Sequence, residues 1–173
     1  MSVTDEALKA NESYAREFKL GHLSMPPGRK LAIVACMDAR LTVEHVLGLK
    51  TGEAHIIRNA GGIVTEDAIR SLIISHHLLG TQEFIVINQS DCGMQTFKDD
   101  ELRSKLTEQT GNAAVSPGQF HAFSDLKENV RRQIHKIQSH PWIPRGISVR
   151  GFVYDVKTGK IEEVPAKRAA GAD

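Results

Sequence analysis

Cys36, Asp38 and Arg40 stand at alternate positions in Lys30-Leu-Ala-Ile-Val-Ala-Cys-Met-Asp-Ala-Arg40. A thiol, a carboxylate and a guanidinium at that spacing leave one face of an extended chain. If the extended conformation lasts through Arg40, the three converge on one point. The residues before them, Leu31 to Ala35, are an apolar run of the kind found in a strand buried on both faces. The chemistry therefore sits where that strand ends, and open α/β sheets bind ligands at the carboxyl ends of their strands.

A second such place follows Phe84-Ile-Val-Ile87, where a buried strand runs into Gln89-Ser-Asp-Cys-Gly-Met94. Between the two strands lies the clearest helical pattern. It starts at Thr65-Glu66-Asp67, carries Ile69, Leu72, Ile73, His76 and Leu79 on one stripe, and ends at Gly80. Strand, helix and strand with short connections predict a mostly parallel sheet. Parallel neighbours put the Cys36 and Cys92 loops at the same sheet edge. Two thiolates with one or two further ligands would make a zinc site. The competing reading is two buried structural cysteines. Asp38 and Arg40 beside one thiol favour a functional site over a plain surface pair. No Cys-x-x-Cys is present, which argues against a redox pair. The eight histidines do not cluster at ligand spacing with either cysteine and read as packing or surface residues. Arg131-Arg132 reads as a solvated helix face.

The remaining elements must position these loops. Thr4-Asp5-Glu6 predicts a helix start, with the helix running to about Lys19. Its apolar side (Ala7, Leu8, Tyr14, Phe18) is thin, as for an arm that packs on another subunit. Gly21 to Arg29 is a linker. Thr42 caps a short helix through Leu47, and Ala54 to Arg58 is a second strand. Asn59-Ala-Gly-Gly62 is a loop where the backbone bends or approaches something closely. Helices are expected at Asp99–Gln109 and Ser124–Ser139, the second with a stripe of Leu126, Val130, Ile134 and Ile137. Ile147–Val156 and Ile161–Val164 form a terminal hairpin. The expected fold is α/β: a mostly parallel central sheet flanked by helices, with an N-terminal helical arm over residues 1–20 and a polar tail from Ala166.

The bulk properties narrow the class. The chain has 173 residues, which suits one domain spanning 1–173 with a sizeable core. A formal net charge of +1 implies no nucleic acid or other polyanion as partner. No apolar stretch is long enough for a membrane span, and no signal peptide is visible at Met-Ser-Val-Thr-Asp-Glu. Only two cysteines are present, and a cytoplasmic chain would keep them reduced.

Cys36-Met-Asp-Ala-Arg40, Arg58-Asn-Ala-Gly61 and Asp91-Cys-Gly-Met94, in that order, resemble the β-class carbonic anhydrases, most closely their small single-domain bacterial and archaeal branch. Arg150-Gly-Phe-Val-Tyr-Asp155 and Thr158-Gly-Lys160 are also similar to that branch. The resemblance implies a dimeric, cytoplasmic zinc enzyme that hydrates CO2 reversibly to bicarbonate. It implies zinc ligands at Cys36 and Cys92 and a catalytic pair at Asp38 and Arg40. Asp38 either pairs with Arg40, leaving water on the metal, or swings to bind it. Arg58, Asn59, Gly61 and Gly93 would line the pocket, with backbone amides near Gly93 meeting the developing anion.

The family's third ligand is the histidine of His-x-x-Cys, and that position is Gln89. An amide oxygen is a poorer zinc donor than imidazole. Three outcomes follow: zinc held by Cys36, Cys92 and Asp38 with Gln89 or water fourth; zinc held weakly; or an empty site. The resemblance thus implies an impaired anhydrase or a non-catalytic relative. A third reading keeps the fold and metal and hydrolyses a carbon–sulfur analogue of CO2.

Overall fold

The computed structural model describes residues 1–166. Apart from Ala166, the polar tail lies outside the described residues. The elements are α1 (Val3–Glu17), β1 (Leu31–Cys36), α2 (Val43–Leu47), β2 (Ala54–Asn59), α3 (Glu66–His77), β3 (Glu83–Gln89), α4 (Asp99–Thr110), α5 (Leu126–Gln138), β4 (Ser148–Tyr154) and β5 (Ile161–Val164). Short 3-10 turns cover Ala60–Gly62 and Gly93–Gln95.

The strands form one sheet in the order β2-β1-β3-β4-β5. β1 pairs in parallel with β2 and β3, and β3 with β4. β5 returns antiparallel on β4, the expected terminal hairpin. The chain leaves β1 toward β2 on one side and leaves β3 toward β4 on the other. The loops after β1 and β3 therefore diverge and open a crevice between two neighbouring strand ends, where such sheets take their ligands.

Alternation along β1 feeds two cores. Ala32 and Val34 join Leu72 of α3 and Val130, Ile134 and Ile137 of α5. Ile33 and Ala35 join Leu41, Val43, Met94 and Phe123 on the other face. Both cysteines belong to that second cluster. Each β1 residue from Ala32 to Cys36 is buried, as the unbroken apolar run required.

Three expectations shift. The N-cap of α1 is Ser2, not Thr4: Ser2 Oγ accepts from Asp5 N at 3.2 Å and Asp5 Oδ2 accepts from Ser2 N at 2.8 Å. Ser2 and Asp5 hold the reciprocal cap spacing, which Thr4 lacks. Strand β1 stops at Cys36, so strict alternation does not carry Asp38 and Arg40 to one face. A turn does it instead, described below. The Arg131 side chain is only 25% exposed, giving hydrogen bonds to Pro165 O and Glu128 Oε2. The arm is as thin as expected, for α1 has no buried residue.

Candidate active site

The turn after β1 is built by Asp38. Its Oδ1 accepts from Arg40 N at 2.9 Å, and its carbonyl accepts from Leu41 N at 3.0 Å. A short carboxylate that bonds its own backbone two residues on is a standard turn former. The same turn folds the Arg40 guanidinium onto Asp38, with Nε to Oδ1 at 3.0 Å and Nη2 to Oδ2 at 2.7 Å. Arg40 then reaches the loop after β3, giving Nη1 to Asp91 Oδ2 at 2.8 Å and Nη2 to Asp91 O at 3.0 Å. Asp91 holds φ at 54°, a left-handed conformation that aspartate tolerates in loops. One planar fork thus ties together the two loops that carry the cysteines.

Cys36 and Cys92 are 4% and 3% exposed and unbridged. The two side chains belong to the same core cluster, and the Cys92 thiol favours the thiolate form of Cys36. That influence, helped by the N–H groups of Asp38 and Gly61 and by the Gln89 amide, pulls the Cys36 thiol down to about 5 against the effect of burial. The same proximity, and then burial, pushes Cys92 up. The pair is set to hold one negative charge readily. The hydrogen bonds from Arg40 hold Asp38 far below the usual carboxylate range.

Gln89 is 1% exposed at the end of β3. Its Nε2 donates to Asp38 Oδ2 at 3.1 Å, and its Oε1 has no hydrogen-bond partner among the described residues. Asp38 therefore receives side-chain donors from Arg40 and Gln89 together.

The other expected site residues support the loops. Arg58 donates from Nε to Cys36 O at 3.0 Å and from Nη2 to Asp38 O at 2.7 Å, so its guanidinium clamps the turn. The Asn59 amide closes its own loop on Ile63, accepting from its N–H at 2.8 Å and donating to its carbonyl at 2.7 Å. Gly61 and Gly62 both take positive φ, at 82° and 59°. A Cβ on Gly62 would lie 2.7 Å from Asn88 Nδ2 and 2.9 Å from Cys36 N, so only glycine lets this loop reach the cysteine. Gly93 opens the 3-10 turn behind Cys92, and its carbonyl accepts from Thr96 Oγ1 at 2.7 Å.

Sequence reasoning missed a buried amide chain beneath this loop. Asn88 Nδ2 donates to Gly61 O at 3.0 Å, and Asn88 Oδ1 accepts from Asn129 Nδ2 at 2.7 Å. Asn129 Oδ1 accepts from Gln133 Nε2 at 2.8 Å, and Gln133 Oε1 accepts from Val64 N at 2.9 Å. The available signal was an amide pair one helical turn apart beside the apolar stripe of α5.

Among the described residues no three His, Cys, Asp or Glu side chains gather into a metal-holding group. A metal on the two thiols must find its third donor elsewhere, and the Gln89 carboxamide is the candidate: its oxygen is buried and partnerless, while its Nε2 is the end that meets Asp38. Two sulfurs and one amide oxygen fit zinc, with the oxygen weaker than an imidazole nitrogen.

A family model described as carbonic anhydrase matches residues 31–161. The chain is 50% identical over 165 residues to β-carbonic anhydrase 1 of Mycobacterium tuberculosis, covering 95% of this chain and 99% of that one. It is 31% identical over 198 aligned positions to a carbon disulfide hydrolase of Acidithiobacillus thiooxidans, covering 99% of this chain and 100% of that one. The solved structure of a carbonic anhydrase from Streptococcus mutans matches with a TM-score of 0.90 at 44% identity, covering 95% of this chain and 99% of that one. With the motif loops at the expected crevice and these likenesses along nearly its whole length, the chain belongs to the β-carbonic anhydrase family.

Proposed function

We propose that the protein hydrates CO2 reversibly to bicarbonate and a proton, with zinc held by Cys36, Cys92 and Gln89. One observation carries this reading: Asp38, fixed and kept ionised by Arg40, stands hydrogen-bonded to Gln89 at the sheet edge that carries both buried thiols. Zinc bound there would supply Lewis acidity, which brings the pKa of a water toward neutral. Two thiolates neutralise much of the ion's charge, so the water is acidified less than three neutral imidazoles would achieve.

The chain's own groups do the rest. Asp38 Oδ2 is the acceptor that orients the attacking oxygen. Arg40 keeps that carboxylate charged and turned by the fork geometry of its donors. Arg58 holds the backbone of Cys36 and Asp38 so that both face the crevice.

A second copy of the chain is the partner. α1 leaves Val3, Leu8, Tyr14 and Phe18 exposed, an apolar row that a homodimer would cover. A light-scattering mass of twice the chain would support that assembly, and a mass of one chain would overturn it. No helix among the described residues is long and apolar enough to cross a membrane. The thiols must stay reduced to hold a metal, which supports a cytoplasmic setting.

Stopped-flow CO2 hydration by zinc-replete protein tests the activity. A rate above background supports the reading, and a metal-replete sample silent at every pH overturns it in favour of a non-catalytic relative. Product analysis with carbon disulfide in the same experiment separates CO2 hydration from the activity named for the 31% identical relative.

A further inference from the structure

We propose that the Gln89 carboxamide is a metal-exclusive toggle: without metal its Nε2 is tied to Asp38, and with metal it turns half a revolution to offer Oε1 as the third donor beside Cys36 and Cys92. The inference rests on the zinc reading above and concerns the residue that replaces the expected imidazole.

A carboxamide can give a metal only its oxygen, because the nitrogen lone pair is delocalised into the carbonyl. The structure presents the opposite end. Gln89 Nε2 lies 3.1 Å from Asp38 Oδ2, so the N–H end faces the carboxylate, and the same amide favours the thiolate form of both cysteines. The N–H end therefore occupies the point on which Cys36, Cys92 and Asp38 converge. Its partial positive charge suits three acceptors and repels a cation.

The oxygen meanwhile is buried in a side chain only 1% exposed and has no donor among the described residues. A buried carbonyl without a partner is costly to keep. The orientation is settled by charge: the reverse would set Oε1 against the Asp38 carboxylate. A cation at the convergence point reverses that preference. It draws Oε1 in and supplies the missing partner. The terminal torsion of glutamine is broad and two-fold, so the turn needs no rotamer change upstream.

Two consequences follow. Metal binding must break the Gln89–Asp38 bond, so that bond competes with the metal and lowers its affinity. Loading also frees Asp38 Oδ2 from Gln89 and leaves Arg40 as its side-chain donor, which is when Oδ2 becomes available to another group.

The test is zinc titration of the full chain, followed by the Gln89 side-chain amide signal in 1H–15N spectra, together with zinc affinity from chelator competition. The expected result is a Gln89 amide shift that saturates at one zinc per chain. Gln89→Leu, which removes the donor, should weaken zinc by about 10-fold to 100-fold or more. Gln89→Glu, which has oxygen at both ends and cannot make the Asp38 bond, should bind zinc tighter than the parent. An unmoved Gln89 amide at zinc saturation overturns the toggle, as does equal affinity in the leucine variant or no zinc uptake by the parent. If Gln89→Leu fails to fold, judged by circular dichroism, the amide shift and the glutamate variant still decide. The expected binding pattern without CO2 hydration would overturn the activity reading and leave the toggle standing.

Discussion

Arg40 and Asp91 meet at 2.8 Å across 51 positions of sequence. The contact matters because Arg40 is already committed to Asp38, so one guanidinium fixes both cysteine loops. A lysine at this position offers a single point charge and cannot serve Asp38 Oδ1, Asp38 Oδ2 and Asp91 together. Arg40→Lys should lower kcat for CO2 hydration by about 10-fold to 100-fold, the usual cost of disturbing a group that orients a metal site. Stability should change by less than about 1 kcal/mol, because the Arg40 and Asp91 side chains are 47% and 71% exposed. Stopped flow and urea denaturation on one preparation check both. An unchanged kcat would reduce Arg40 to a surface cation.

The amide chain from Asn88 through Asn129 to Gln133 is buried end to end. Asn129→Ala strands Asn88 Oδ1 and Gln133 Nε2 at once. Each orphaned group costs about 1–3 kcal/mol, so the urea midpoint should fall by the equivalent of about 2–6 kcal/mol. The Gly61 carbonyl keeps its bond to Asn88, but Asn88 loses its tether to α5. Zinc affinity should therefore fall as well, without loss of either thiol. Midpoints matching the parent would mean that water replaces the amide.

Fold and site were legible to different depths. β1 and β3 announced themselves because a strand buried on both faces has no reason to alternate, and the Gly61-Gly62 pair marked a close approach of backbone. The convergence of Cys36 with Asp38 and Arg40 was expected for an incomplete reason. Alternation would have sufficed, but the strand ends at Cys36 and the Asp38 side chain makes a turn. Asp91 was read only as part of a motif, since nothing local says that a loop aspartate meets an arginine from another loop. Asn129 and Gln133 were hidden for the same reason: their partners lie in distant segments. The thinness of α1 was visible because amphipathicity is local.

Gly62 is the narrowest point beneath the site. At φ 59° it pays no steric penalty, whereas an alanine there would cost about 1–2 kcal/mol in backbone strain alone. Its Cβ would also press on Cys36 N and Ile87 O, at 2.9 and 3.0 Å, and backbone atoms cannot move aside as a flexible side chain can. Gly62→Ala should therefore destabilise the fold by more than the strain figure and weaken zinc binding together. Gly48→Ala is the control, since it has a similar φ of 63° with nothing near its Cβ. It should show the strain cost and leave the metal site unchanged. Equal effects at both positions would show that packing against Cys36 contributes nothing.

Acid stability should depend on Asp99. Burial raises its pKa, but N–H groups from Ala122, His121 and Phe120 on the carboxylate outweigh that and hold it below the ordinary 3.8. The bonds are 2.8, 3.0 and 2.8 Å long, and they fasten the start of α4 to the segment leading into Phe123, which packs in the cysteine-bearing core. The folded pKa is lower than the unfolded one, so the unfolded chain binds the extra proton first. Asp99 therefore contributes its stability in full above the ordinary value and loses it as the pH falls through the folded pKa. Asp99→Asn keeps one oxygen acceptor but turns an N–H end toward at least one of the three donors. At neutral pH it should cost about 1–3 kcal/mol, as for a hydrogen bond to a charged group. The parent should lose stability relative to the variant as the pH is lowered through the acid range, until the two converge once Asp99 is protonated in both states. Urea midpoints from pH 7 downward would show the narrowing gap, and a gap that stayed constant with pH would mean that the carboxylate's charge plays no part.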